Sequence, residues 1–375
     1  MLNWNEYKVG DILRLEYGKS LLDYRSGIGE FDVFGTNGKI GKTEKYIYDK
    51  PSIIIGRKGA YRETHFAAKP FFVIDTAFYT KKIIDDLDIL FLYYWFKNVD
   101  INLMDSGSAI PSTSRDEVYD LDILLPNFHE QKSIAGVLSS LDDKIDLLHR
   151  QNATLEAMAE TLFRQWFVEE AKEEWEVVKI KDFDVIVTDY VANGSFASLA
   201  ENVNYKAEPD FAKLIRLTDF NNNFSGDFVY VDEQAYNFLK KSKLFGGEII
   251  ISNVGAYAGT VFKCPKLDTP MTLGPNAIVL KSKFDNYFYL LFKSTYGKFI
   301  LDGIISGSAQ PKFNKTTFRE VALSYPSIDY ITDFENIVEV YFHKIDANKK
   351  QIRTLTTLRD TLLPKLMSGE VKVKN

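Results

Sequence analysis

The chain is written twice, and no other feature constrains its fold as much. "SGSAIP" at 106–111 returns as "SGSAQP" at 306–311, and fifteen residues later each copy has a further proline, Pro126 and Pro326. "KID" stands at 144–146 and 344–346, and "TL" at 154–155, 161–162, 354–355 and 361–362, all at an ungapped offset of 200. Upstream, "IIIGRKGAY" (53–61) matches "IIISNVGAY" (249–257) at an offset of 196, and Trp4 and Trp175 each open a half. Self-similarity on this scale means two copies of one structural unit.

Each half begins with short β-rich runs split by Gly, Asn and Pro: "SIIIG" (52–56) and "PFFVIDTAFYT" (70–80), then "EIIIS" (248–252) and "NAIVLKS" (276–282). A long helix follows in each. The first is expected from Asn127, with Glu130 three residues on as in a capping box, to about Val168. The second is expected from Ser327 to about Ser368-Gly369, with Pro364 kinking or fraying its last turn.

Both helices carry a heptad. Ile134, Leu141, Leu148, Leu155 and Leu162 are seven apart, with Leu138, Ile145, Asn152, Ala159 and Trp166 four after each. The second copy has Phe334, Tyr341, Asn348, Leu355 and Leu362, then Val338, Ile345, Ile352, Arg359 and Leu366. A strict seam of this kind predicts helix pairing. Set antiparallel so that facing residue numbers total 500, Asn152 meets Asn348, Ile145 faces Leu355, Leu148 faces Ile352, Leu155 faces Ile345, small Ala159 opposes Tyr341, and Trp166 meets Phe334. Leu141 against Arg359 is the awkward pair, eased if the arginine snorkels. An unpaired buried amide costs ~1–3 kcal/mol, which favours this register over a slip of one heptad.

The remaining composition narrows the function classes. Of 375 residues, 45% are hydrophobic and 14% aromatic, ample for two or three cores. A single cysteine, Cys264, excludes an internal disulfide and fits a reducing compartment. The four histidines are scattered, with no metal-ligand spacing. "MLNWNEYKVG" has no apolar signal core, and "ILFLYYWF" (89–96) is too short to span a bilayer, so a cytoplasmic, soluble chain is expected. The net charge is −6, yet residues 1–62 hold eleven Lys/Arg against eight Asp/Glu, a net of +3, while acids dominate 130–176.

"FGTNGKIGKT" (34–43) ends like a phosphate-binding loop, but position 36 is Thr and the neighbouring glycines are at 35 and 38, one residue out of frame. Catalytic motifs fail in the same way. There is no Pro-Pro pair for an adenine methyltransferase, and "PDFAK" (209–213) lacks the later Asp/Glu-x-Lys of a nuclease.

On these residues the whole chain resembles the specificity (S) subunit of type I restriction–modification systems. The resemblance is carried by "WNEYKVGDI" and "WEVVKIKDF", "GTNGKIG", "IIIGRKGAY", "GSAIPSTSRDEV", "IRLTDF" and above all "LPNFHEQKSIAGVLSSLDDKIDLLHRQNATLEAMAETLFRQWF". It implies an α+β fold with an internal twofold pseudo-repeat. Two globular α/β target-recognition domains (1–126 and 171–326) would be separated by two long helices (127–170 and 327–375, the latter with the C-terminal tail) paired as an antiparallel coiled coil. At 1.5 Å per residue such a helix is ~60 Å long, against ~34 Å for a turn of duplex DNA.

The resemblance also implies a non-catalytic protein that reads a split sequence on double-stranded DNA and holds two methyltransferase (M) subunits, with restriction (R) subunits joining. It would bind no cofactor itself; S-adenosylmethionine is expected on M, and ATP and Mg on R. Candidate DNA-binding residues in the first half are Thr36, Asn37, Lys39, Lys42, Arg57, Lys58, Tyr61, Arg62, Ser112, Thr113 and Arg115. Gly35, Gly38 and Gly41 would allow close backbone approach to the ligand, with Lys45 adding charge. The second half offers Arg216, Thr218, Asp219, Asn253, Tyr257, Gln310, Lys312 and Lys315. Arginine grips guanine edges and asparagine adenine edges. Because "GRK" becomes "SNV", the halves are expected to read different bases. Asp142-Asp143, beside Lys144, are expected on a solvated face or at an M contact. A coiled-coil adaptor without DNA reading, or a self-contained methyltransferase or nuclease, is the alternative.

Overall fold

The computed structural model describes residues 4–104, 110–172, 174–307 and 309–373, so positions 106–109 and 308 of the repeated Gly/Ser segments lie outside the described residues. The chain divides into two compact units, Met1–Leu148 with Gln351–Asn375, and His149–Lys350. Each unit therefore holds one globular half together with part of both long helices.

The strands of the first unit are β1 (Asn5–Lys8), β2 (Leu13–Tyr17), β3 (Phe31–Gly35), β4 (Gly38–Thr43), β5 (Ser52–Gly56), β6 (Thr64–Ala67), β7 (Phe71–Val73), β8 (Ala77–Lys82) and β9 (Asp122–Leu125). They form a four-stranded antiparallel sheet β2-β8-β5-β6, a three-stranded sheet β4-β3-β7 with β3 and β7 parallel, and a ladder β1-β9. β5 is apolar without alternation because both its faces are buried. "PFFVIDTAFYT" is two strands, not one. A turn closed by Ala77 N donating to Ile74 O sends β7 and β8 into different sheets.

The second unit repeats this topology. Its strands are β10 (Glu176–Lys179), β11 (Ile186–Asp189), β12 (Ala212–Ile215), β13 (Val229–Val231), β14 (Lys243–Leu244), β15 (Ile249–Ser252), β16 (Val261–Lys263), β17 (Met271–Leu273), β18 (Ala277–Lys281) and β19 (Ala322–Tyr325). The sheets are β11-β18-β15-β16, β13-β12-β17-β14 and β10-β19, and the β12–β17 pair is again parallel. β14 is the addition.

In both units a short apolar helix joins the sheets to the long helices. In the first, Ile89–Lys97 lays Phe91, Leu92 and Phe96 into the core, and Tyr94 Oη donates to Asp142 at 2.7 Å. "ILFLYYWF" is this helix, and no helix among the described residues is long and apolar enough to cross a membrane. In the second, Asp285–Lys293 is tied to Glu156 by Tyr289 Oη at 2.6 Å and by Lys293 Nζ. Glu335 accepts from the backbone N–H of Asn286 (3.1 Å) and Tyr287 (2.9 Å), stabilising the helix start where unsatisfied donors gather.

The long helices run Phe128–Arg164 and Ile328–Met367. Asn127 Oδ1 accepts from Glu130 N (3.0 Å) and Ser327 Oγ from Tyr330 N (3.3 Å), as the capping signals predict. The first continues as a π turn through Glu169, which brings the adjacent Trp166 and Phe167 into one aromatic cluster with Tyr330 and Phe334. Pro364 does not end the second helix; the helix runs past it to Met367, and Gly369 then takes φ 71°.

Within the second unit the two helices are antiparallel in the expected register. Asn348, 1% exposed, donates to Asn152 Oδ1 at 2.9 Å, and the Trp166 and Phe334 rings lie 5.8 Å apart. Ala159, Val338 and Ile345 are buried in the same core, with Leu155 and Tyr341 packed against it. Within the first unit, Ile134, Leu138 and Leu366 share a core flanked by Leu362, and Leu141, Ile145, Ile352 and Leu355 are half-buried. Arg359 does not simply snorkel: its Nη1 lies 2.8 Å from Asp142 Oδ1. Asp142 is therefore half-buried and shared between Arg359 and Tyr94, not on a solvated face; Asp143 beside it is exposed.

Asn152→Leu leaves the buried Asn348 amide only its long 3.5 Å bond to Gln151 Oε1 and is expected to lower unfolding free energy by ~1–3 kcal/mol. The double change with Asn348→Leu is expected to recover most of that loss. Urea unfolding of the two variants checks it; a double variant no more stable than the single one refutes the amide pairing.

Candidate nucleic-acid interface

In each unit three loop segments that are distant in sequence are sewn together by main-chain hydrogen bonds. In the first, Arg57 N donates to Thr76 O (2.9 Å), Thr113 N to Arg57 O (2.9 Å), Gly59 N to Pro111 O (3.0 Å) and Glu63 N to Thr36 O (3.3 Å). This joins the loop after β5 to the turn between β7 and β8 and to the segment at 111–115, and the Glu63–Thr36 bond adds the turn after β3. The second unit repeats three of these four bonds: Asn253 N to Asn276 O (3.1 Å), Phe313 N to Asn253 O (3.1 Å) and Gly255 N to Pro311 O (2.8 Å). β-Bridges at Lys58–Ser112 and Val254–Lys312 complete the match.

The opening motif "FGTNGKIGKT" is the β3–β4 hairpin, so Gly41-Lys42-Thr43 lies on a strand and not at the helix start that a phosphate-binding loop requires. Its glycines serve internal packing. Gly38 takes φ 99° against His65, and a Cβ at Gly41 would stand 2.0 Å from Tyr24 O. The expected close approach of a ligand to these glycines is therefore corrected.

Several candidate residues do lie on the surface. Tyr61 (80% exposed) and Tyr257 (66%) occupy matching loops, and Asn37, Lys39, Lys42, Lys45, Lys58, Thr218, Gln310 and Lys312 are exposed. Lys39 pairs with Asp32 at 2.6 Å. Arg57, Ser112 and Arg115 are half-buried. The Arg115 and Arg57 guanidiniums stand 3.9 Å and 4.7 Å from the centroid of the Tyr17 ring, an aromatic residue absent from the sequence-based candidates.

Other candidates are structural. Arg62 is 2% exposed, and its Nη2 donates to the carbonyls of Ile101 (3.2 Å), Asn102 (3.1 Å) and Met104 (2.6 Å). It holds the 101–104 segment and does not face solvent. Thr36 Oγ1 is engaged by Lys58 O and Thr76 O, and Thr113 is buried. Asp219, 5% exposed, grips Arg216 through two side-chain bonds of 3.1 Å and 2.7 Å, so it orients that arginine and is not a contact in its own right. Asn253 spends its amide on Phe313 O at 2.9 Å. Lys315 is paired with the largely buried Asp189 at 3.1 Å. The second face thus carries less net positive charge than its sequence suggests.

A cleft of the second unit, about 460 Å³, is lined by charged side chains, several of which pair with one another. Lys293 bridges Glu156 and Glu160, and Lys266 pairs with Asp346 at 2.8 Å. Lys263 donates to Asn286 Oδ1 with its ammonium 4.2 Å from the centroid of the Phe342 ring. Burial pushes Lys263 down to about 8 and Asp285 up to about 6. Among the described residues no group of three or more His, Cys, Asp or Glu is placed to hold a metal ion.

Replacing Arg62 by Ala removes three charge-assisted bonds from a buried segment and is expected to destabilise the chain by roughly 2–4 kcal/mol in urea unfolding. The ordinary lysine value is 10.5, above the folded value of about 8. Below pH 8 the penalty for burying the Lys263 charge is fully present, and it relaxes as pH rises toward 10.5. Lys263→Met is therefore expected to be more stable relative to wild type at pH 7 than at pH 10. After allowance for partial solvent access the difference is roughly 1–2 kcal/mol, and paired unfolding curves at the two pH values check it.

The geometry agrees with what the chain is similar to. The model of the type I restriction modification DNA specificity domain matches residues 1–157 and 172–357, one block in each half. The MjaIX specificity subunit of Methanocaldococcus jannaschii is 27% identical over 309 residues, covering 76% of this chain and 69% of that protein. The EcoDI specificity subunit of Escherichia coli is 20% identical over 409 residues, covering 99% and 89%. The solved S subunit of a type I restriction–modification system from M. genitalium superposes with a TM-score of 0.65 at 20% identity, over 97% of this chain and 96% of that one, a likeness of fold. With two family blocks laid over two copies of one topology, the chain belongs to the type I restriction–modification DNA specificity family, as a specificity subunit and not an enzyme.

Proposed function

We propose that this chain reads a bipartite sequence on double-stranded DNA, one part per unit. In this reading it scaffolds two methyltransferase subunits, with restriction subunits joining the larger complex, in the cytoplasm. S-adenosylmethionine would sit on the methyltransferase subunits, and ATP and Mg on the restriction subunits; the specificity chain supplies only recognition. The observation that carries this reading is the repeated three-segment face. The same main-chain bonds present Lys58 and Tyr61 in one unit and Tyr257 and Lys312 in the other. Main-chain sewing fixes the loop geometry while leaving side chains free to meet base edges, the division of labour expected of a sequence reader. Arg57 and Lys58 become Asn253 and Val254 at equivalent positions, which favours a target whose two parts differ.

The test uses the chain assembled with its methyltransferase subunits. Sites methylated on genomic DNA are expected to share two short sequence blocks with a gap of constant length. Exchanging Tyr257 and Lys312 for Ala is expected to relax one block and leave the other intact. An assembled complex that modifies or binds DNA without sequence preference refutes the function.

A further inference from the structure

Tyr17 closes β2 at the edge of the first reading face, 46% exposed, with its ring 5.1 Å from that of Phe78. The guanidiniums of Arg115 and Arg57, at 3.9 Å and 4.7 Å from its centroid, come from the two loops that the Thr113–Arg57 main-chain bond joins. Arg57 Nη1 donates to Asp75 O at 3.1 Å, and among the described residues neither guanidinium has a carboxylate partner. An aromatic face orients a planar guanidinium without cancelling its charge.

The second unit answers each position differently. Tyr17 pairs across the sheet with Phe78, and Asp189 pairs with Ile278, the residue equivalent to Phe78 by strand register. Asp189 therefore stands where Tyr17 stands, and Lys315, the repeat of Arg115, is bound to it at 3.1 Å. Asn253 replaces Arg57 and spends its amide on Phe313 O. Over the three equivalent positions the first unit carries a formal +2 (Arg57, Arg115, neutral Tyr17) and the second carries zero (neutral Asn253, Asp189, Lys315).

We propose that Tyr17 is a positioning residue that presents Arg57 and Arg115 as a pair of preorganised forks to paired acceptors on DNA, and that the first unit thereby supplies the larger salt-sensitive share of binding. This rests on the DNA-reading function proposed above. The paired acceptors are either two oxygens of a phosphate or O6 and N7 of a guanine, and the two make different marks on binding.

The experiment measures binding of the complex with its methyltransferase subunits to a duplex carrying the mapped target, as log affinity against log salt. Tyr17→Phe keeps the ring and is expected to bind as wild type. Tyr17→Ala is expected to weaken binding roughly tenfold and to flatten the salt slope. Arg57→Gln and Arg115→Gln each lower the slope by about 0.9 where the fork holds a phosphate. Each instead relaxes the preference at a single G·C pair roughly tenfold or more where it holds guanine. Asp189→Asn releases Lys315 and is expected to steepen the slope. The proposal is overturned if Tyr17→Phe loses as much as Tyr17→Ala, if both glutamine variants keep slope and base preference, or if Asp189→Asn leaves the slope unchanged. Should Tyr17→Ala fail to fold, the phenylalanine and glutamine variants still decide. A wild-type complex without sequence preference overturns the underlying function; a specific wild type with indifferent variants overturns only this assignment.

Discussion

One amide pair in an apolar seam sets the register of the longest elements in the chain. Asn348 is almost fully buried, and its hydrogen bond to Asn152 leaves little freedom for the helices to slide. A shift of one heptad would set the amide against Ile145 or Ala159, neither of which can accept a hydrogen bond from its side chain. The other observed crossings stay within one of the same count. Trp166 with Phe334 totals 500, and Asp142 with Arg359 totals 501. A lone polar pair of this kind selects alignment at some expense of stability, a known use of asparagine in helix seams.

The globular halves separate framework from recognition in a similar way. The bonds that draw the loops together are main chain to main chain in both units, so they tolerate the exchange of Arg57 for Asn253 and of Ser112 for Lys312. The side chains carry the differences. Where the first unit stacks cations on an aromatic ring, the second neutralises them with Asp189 and Asp219. Equal topology with unequal charge is what two different recognition tasks on one fold would select.

Much of this was legible in the sequence, because it is written in local or periodic form. The repeat, the helix caps at Asn127 and Ser327, the heptad and the Asn152–Asn348 contact all follow from spacing. What escaped depends on partners remote in sequence. Arg62 looks like any basic loop residue until the carbonyls of 101–104 close around it, some forty positions away. Lys315 counts as a free cation until the fold brings Asp189 to it, 126 residues distant in sequence. Tyr17 carries no motif at all; only the pairing of β2 with β8 sets its ring beneath two arginines.

The matching backbone stitches around the two sets of loops have a practical corollary. Because Gly59–Pro111 and Gly255–Pro311 make the same closure, each set of loops is a socket of common gauge, indifferent to the chemistry mounted in it. Grafting residues 57–61 of one half onto positions 253–257 of the other should then preserve the closure while exchanging the side chains it displays, and Arg62, locked to the carbonyls of 101–104, stays behind with its own core.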